Sequence, residues 1–225
     1  MKKHFIILFF SLIIISAYTA ETWLSAEYQY GFSFLKGEDL SYESHPDEKA
    51  FRVSGHGFNI KTYVFWNNQN IGLFIKTSLD LPYFYNTYNQ NYYRHYIGIP
   101  LSFGTGVGFR HVLSEKSNIH YAVGLDLNFN LFFTKLKDSN FPKFNTKIYS
   151  HQVTFRLISD IGYKYNINNN IYLNTGANLN FAFAKHIKQS SKSDLNNNIT
   201  SKWAKGFFSF EFLPYFGIGF IINSR

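Results

Sequence analysis

The stretch "LNFNLFFTKL" (residues 127–136) alternates apolar and polar residues before reaching three apolar ones in a row. A strict period of two places successive side chains on opposite faces of a strand. The period recurs along the rest of the chain. In "LSAEYQYGFSF" (24–34), Leu24, Ala26, Tyr28, Tyr30, Phe32 and Phe34 oppose Ser25, Glu27, Gln29, Gly31 and Ser33. Six further alternating stretches fall near 51–66, 71–81, 96–110, 152–165, 171–184 and 207–222, making eight with these two. Pro100 and Pro214 lie inside two of them, where proline is tolerated only at edges and bulges.

The connections alternate in length. "NNQN" (67–70), "SEKSN" (114–118) and "NINNN" (166–170) read as tight polar turns. Longer polar connections are expected near 36–50, 83–93, 135–147 and 185–205. An even number of strands, with short turns at one end and long loops at the other, is the pattern of an outer-membrane barrel.

A soluble barrel would also alternate, with its apolar face turned inward. The faces themselves argue for lipid outside. The apolar face carries almost no charge in mid-strand, and its aromatics are too many and too bulky for a narrow lumen. The other face is rich in Gly, Ser and Asn. Trp66, Tyr121, Tyr163 and Tyr165 collect toward the short turns, and Phe34, Phe133 and Phe208 toward the loops, as interfacial girdles do. Aromatics make up 20% of the chain, yet mean hydropathy is −0.18, which fits alternation better than apolar blocks.

Lys2 and Lys3, the apolar run Phe5–Ile15 and the small residues of "SAYTA" have the form of a secretory signal peptide, too short to span a bilayer. The expected organisation is therefore a signal peptide over 1–20 and a barrel over 21–225. Without its two lysines the mature chain carries 8 − 2 = +6. Cysteine is absent, which excludes a disulfide framework, thiolate metal sites and lipoprotein acylation.

The fold class is thus all-β: an eight-stranded antiparallel up-and-down transmembrane barrel. Segments such as "YIGIPLSFGTGVGF" and "FEFLPYFGIGFII" resemble the small outer-membrane barrels of the OmpA, OmpX and OmpW type, and the composition is similar to that of spirochaetal surface barrels. The resemblance implies an architecture and a location in the bacterial outer membrane, and no particular activity. One departure is the C-terminus, which runs on to "IINSR" where such proteins often end on an aromatic residue.

With the polar face inside, the lumen would hold the acids Glu27, Asp80, Asp126, Asp160 and Glu211 and the bases Lys61, Lys76, Arg110, Arg156 and Lys164. Buried charges need partners, so this balanced set predicts an ion-pair network that closes the lumen; a selective pore would more often show a ring of one sign. Lys61 and Lys76 should face each other across the "NNQN" hairpin, with Glu27 or another acid between them. His56 and His120 are expected on or near this face as packing residues.

A closed barrel leaves its loops as the functional surface. The contact candidates are Tyr83, Tyr85, Tyr88 and Tyr92 in the tyrosine-rich second loop, Lys143 and Lys147 in the third, and Lys188, Lys192 and Lys202 in the fourth. Tyrosine offers large rigid contacts at low entropy cost. Lysine suits outer-membrane lipid headgroups, anionic polysaccharide or an extracellular host protein. No nucleic-acid motif, cofactor motif or metal spacing is present. The expectation is a monomeric, non-enzymatic barrel with a structural or adhesin-like role. The alternatives are a narrow pore or transporter, and an enzyme acting on outer-leaflet lipid. For the last, His45, Asp47, His95, Asp138, Ser139, Ser150 and His151 supply residue types without a spacing that forces a triad.

Overall fold

The structure, a computed structural model, describes residues 20–36, 49–66, 69–80, 83–89, 92–138, 145–192 and 197–223. The expected signal peptide, but for Ala20, and most of the first loop, with His45 and Asp47, lie outside the described residues. Ala20 already belongs to the first strand, where it pairs with Trp66.

Ten β-segments are described: β1 (Ala20–Lys36), β2 (Lys49–Trp66), β3 (Ile71–Asp80), β4 (Tyr83–Asn89), β5 (Tyr92–Ser114), β6 (Ser117–Asp138), β7 (Asn145–Asn166), β8 (Ile171–Lys192), β9 (Asn197–Trp203) and β10 (Phe208–Asn223). All pairings between them are antiparallel. Eight segments close a ring in the order β10, β1, β2, β3, β5, β6, β7, β8, and β8 pairs back to β10. Closure leaves no unpaired strand edge in the ring, which a barrel in hydrocarbon requires. β4 adds to the outer end of β5, and β9 to the outer end of β8.

Pro214 sits where the ladder can spare an amide. The β1–β10 register runs from Gln29↔Tyr215 to Phe32↔Phe212 and skips Leu213 and Pro214. The β1–β2 register shifts at the same place, between Gln29 and Gly31. A residue with no N–H thus falls at an irregularity of the sheet.

The outer surface is apolar along the strands. Ile119, Tyr121, Val123, Leu125, Leu127, Phe129 and Leu131 follow one another on the outside of β6, as Phe212, Phe216, Ile218 and Phe220 do on β10. Leu125 and Phe216 are each 61% exposed. In water, so large a continuous apolar surface would drive association; around a closed barrel it is the surface that meets lipid. Ile119 to Leu131 covers about 40 Å of strand, which at a ~40° tilt spans about 30 Å of bilayer.

Two sequence expectations need correction. The first concerns the connections. β5 has 23 residues, and β6, β7 and β8 have 22 each, whereas a tilted strand crosses the hydrocarbon in about 9–11. The surplus continues outward as paired hairpins, so most of 83–93, 135–147 and 185–205 is strand and not loop. Once the strands leave lipid, continued pairing satisfies the backbone amides at no geometric cost, and the Tyr- and Thr-containing runs favour it.

The second concerns the lumen. The polar-looking faces of β1, β2, β3, β8 and β10 also carry Trp23, Tyr63, Phe65, Phe74, Tyr172 and Tyr215, all buried inside the barrel. Aromatics therefore do fit this lumen, because glycines on neighbouring strands leave notches for them. A Cβ on Gly162 would clash with the Tyr215 hydroxyl and would meet the His120 ring at 2.6 Å, and one on Gly219 would clash with the Tyr172 ring.

Candidate functional site

The interior is filled on three levels, counted from the short-turn end. On the lowest, Glu21 accepts from Trp23 Nε1 (2.5 Å) and from Arg110 Nη1 (2.5 Å), and Lys164 Nζ lies 3.9 Å from it. The Lys164 ammonium stands 3.4 Å from the centre of the Trp23 ring, and the Arg110 guanidinium 4.7 Å from that of Phe65. Cations over ring faces gain from the ring quadrupole, more so when desolvated.

Just above, Trp23, Tyr63, Phe65, Phe74 and Tyr172 pack together with Ala122 and Ile158. Trp23 and Phe65 are 4.8 Å apart between ring centres, Tyr63 and Phe74 4.9 Å. The tilted geometries are those aromatic pairs prefer. An eight-stranded interior is only about wide enough for its own side chains, so this layer occludes it.

Against this layer stands the second charged level. Lys61 is fully buried, with Glu27 Oε2 at 2.8 Å and Asp160 Oδ1 at 2.6 Å. Asp160 also accepts from the Tyr63 hydroxyl and lies 3.5 Å from His120 Nε2. Glu27 accepts from Ser25 Oγ (2.7 Å) and Asn174 Nδ2 (2.6 Å). The Lys61 ammonium lies 3.2 Å from the centre of the Tyr215 ring. The third level belongs to Arg156. It donates through Nε to Asp126 Oδ1 (2.8 Å) and through Nη1 to Glu211 Oε2 (2.9 Å), and Asn180 Nδ2 donates to the same Glu211 oxygen (2.8 Å).

Glu27, Lys61, Asp126, Arg156, Asp160 and Glu211 are thus gathered into two clusters, and Arg110 and Lys164 into a third. Lys76 is buried in register with Lys61. The Asp80 and His56 side chains lie outside the described residues. Glu21 escaped the sequence reading, although its place two residues before Trp23 on a lumen-facing alternation marked it. Lys185, read as a loop residue, is also buried and stands 4.8 Å from the centre of the Phe207 ring.

The contact candidates lie on strands as well. Tyr83, Tyr85 and Tyr88 are on β4 and Tyr92 opens β5, with side chains outside the described residues. Lys188 on β8 and Lys202 on β9 are exposed; Lys147 and Lys192 are known by their register, and Lys143 and Ser139 lie outside the described residues. Of the residues weighed for catalysis, Ser150 is buried inside while its neighbour His151 is exposed on the other face, so the two are not brought together. His95 and Asp138 fall in β5 and β6. The structure shows instead a contact absent from the sequence reading, Ser201 Oγ to His186 Nε2 at 3.1 Å, with the His186 ring edge-on to Trp203. Among the described residues no carboxylate is hydrogen-bonded to His186.

No family model matches the sequence, and no curated protein matches it. Solved structures do. A major outer membrane protein from Thermus thermophilus matches with a TM-score of 0.54 at 11% identity, over 88% of this chain and 99% of that one. Ail, the attachment invasion locus protein of Yersinia pestis, matches with 0.45 at 14% identity, over 90% and 99%. Neisserial surface protein A gives 0.42 at 13%, over 88% and 96%. The Thermus match shows the fold. With the lipid-facing surface, it makes this chain a bacterial outer-membrane β-barrel.

Proposed function

We propose that the protein is a closed, non-enzymatic outer-membrane anchor whose extended hairpins form an adhesin-like interaction surface. The observation that carries this reading is the occluded lumen: the aromatic layer of Trp23, Tyr63, Phe65, Phe74 and Tyr172, with ion pairs on both sides, leaves no line of one-sign charge for an ion to follow. The strands then continue well past the hydrocarbon, which a barrel serving only as a plug does not need. Lys188 of β8 and Lys202 of β9 are exposed there, and the sequence of β4 is rich in tyrosine, a composition suited to an anionic polysaccharide or the surface of an extracellular protein.

Single-channel recording of the refolded barrel in a planar bilayer tests it. Clean insertion without steady openings is the expected result. Steady ohmic openings would replace this reading with that of a narrow pore. The contact of Ser201 with His186 favours a second reading, an enzyme of the outer leaflet, but a hydroxyl beside an imidazole with no orienting acid among the described residues falls short of an activated nucleophile. Unchanged outer-leaflet lipids after incubation with the folded protein are expected.

A further inference from the structure

Two buried cations share one acid at the short-turn mouth of the lumen. Arg110 of β5 and Lys164 of β7 both turn inward there, and both approach Glu21 at the start of β1. Arg110 Nη1 holds Glu21 Oε2 at 2.5 Å, while Lys164 Nζ stands 3.9 Å from Oε1. That oxygen already accepts from Trp23 Nε1. A hydrogen bond from nitrogen to oxygen spans about 3 Å, so Glu21 attracts the Lys164 ammonium without bonding it. Arg110 Nε, also buried, has no acceptor among the described residues.

The Arg110 and Lys164 side chains are only 7% and 1% exposed. Buried charge is costly unless paired and hydrogen-bonded, and the other acids stand elsewhere. Glu27 and Asp160 engage Lys61 beyond the aromatic layer, and Asp126 and Glu211 engage Arg156. The short turns 67–70, 114–118 and 166–170 contain one acid, Glu115, which is exposed beside exposed Lys116. By chain order, the acids at 38–48, 80, 138 and 194 belong to the long-connection end. Aromatic rings do not take the place of an anion here. Both cations stand over the same Trp23 ring, at 3.4 and 5.8 Å from its centre. A ring face attracts a cation, but it accepts no charge-assisted hydrogen bond of the kind an oxyanion does.

We infer that this mouth binds a small oxyanion, such as inorganic phosphate, between Arg110 and Lys164. The anion would accept from Arg110 Nε and from the Lys164 ammonium, donors whose geometry and charge suit phosphate oxygens. Glu21, 26% exposed, marks the opening to water. The three side chains face the lumen and not the lipid, and outer-membrane barrels keep their short turns in the periplasm. The ligand is therefore a free periplasmic anion. The site goes beyond the proposed anchor role and does not depend on what the hairpins bind.

The test titrates the refolded full barrel, in neutral detergent with sodium chloride as background salt, with inorganic phosphate in a calorimeter. Saturable binding of one phosphate per barrel is expected. Lys164→Gln should weaken it about ten-fold, and Glu21→Gln, which removes the competing negative charge, should tighten it about ten-fold. A cluster with a purely structural role would show no such tightening. Absence of saturable binding by the wild type would overturn the inference. So would unchanged affinity in Lys164→Gln, because the phosphate would then sit elsewhere, or a Glu21→Gln barrel that binds no more tightly than the wild type. If either variant does not refold, the wild type and the other variant carry the test. A conducting barrel that still binds phosphate in this way would sink the anchor role and leave the site standing.

Discussion

Lys61 on β2 and Asp160 on β7 meet at 2.6 Å across the barrel, although 99 residues separate them in sequence. Four places apart in a ring of eight, these strands are diametrically opposed, so one ion pair ties the two walls together. Removing one partner of a buried pair leaves an uncompensated charge, at a cost of about 3–5 kcal/mol. Because Lys61 also pairs with Glu27, the substitution that leaves buried charge uncompensated is Lys61→Met, which strips both Glu27 and Asp160 of that ammonium and should lower stability by about that much in urea titrations of the folded band on unheated gels. A loss below about 1 kcal/mol would mean that water reaches these carboxylates.

The aromatic layer is the expected seal. Trp23→Ala combined with Phe74→Ala should open it while leaving the Arg156 cluster in place. In a planar bilayer the double variant should show steady openings that the wild type lacks. A silent double variant would assign the seal to the charged levels instead.

The lipid-facing surface predicts a depth-dependent cost. Leu125→Arg, at the middle of the outward run on β6, should destabilise the bilayer-embedded protein by about 2–4 kcal/mol, and Ile119→Arg, at its end, by at most about 1 kcal/mol. Equal costs at both positions would contradict a hydrocarbon belt centred near Leu125.

Gly162 faces the Tyr215 hydroxyl and the His120 ring. Gly162→Ala should cost about 1–3 kcal/mol by overpacking. Adding Tyr215→Phe, which removes the clashing oxygen, should restore part of it. Absence of any recovery would place the strain at the His120 ring, the other group that a Cβ there would meet.

The three tryptophans occupy different environments. Trp23 is buried in the lumen, Trp203 is exposed on the outer face near the hairpin end, and Trp66 is half-buried at the short-turn end. Single-tryptophan variants in bilayers containing brominated lipid should show strong quenching at Trp66 and Trp203 and little at Trp23. Strong quenching of Trp23 would contradict its place inside the lumen.

Much of this is legible in the sequence alone. The alternation of "LNFNLFF" determines that β6 has an apolar and a polar face, and the uncharged apolar face determines that lipid lies outside, because both follow from the two-residue period of a strand and the cost of charge in hydrocarbon. The placement of Glu27, Lys61, Asp126 and Arg156 on the inward positions follows from the same parity. Parity says nothing of which strand stands across the lumen. That Asp160 reaches Lys61, that Glu21 joins Arg110, and that Arg156 holds both Asp126 and Glu211 were decided by ring closure and register. Rings on the inward face, such as Tyr172 and Tyr215, were misjudged because a strand read alone does not show the glycine notches that its neighbours provide. The row Phe129, Val153 and His186 belongs to register too: residues far apart along the chain become neighbours only once three long strands pair, since cross-strand hydrogen bonding, and not chain proximity, determines which side chains share a face.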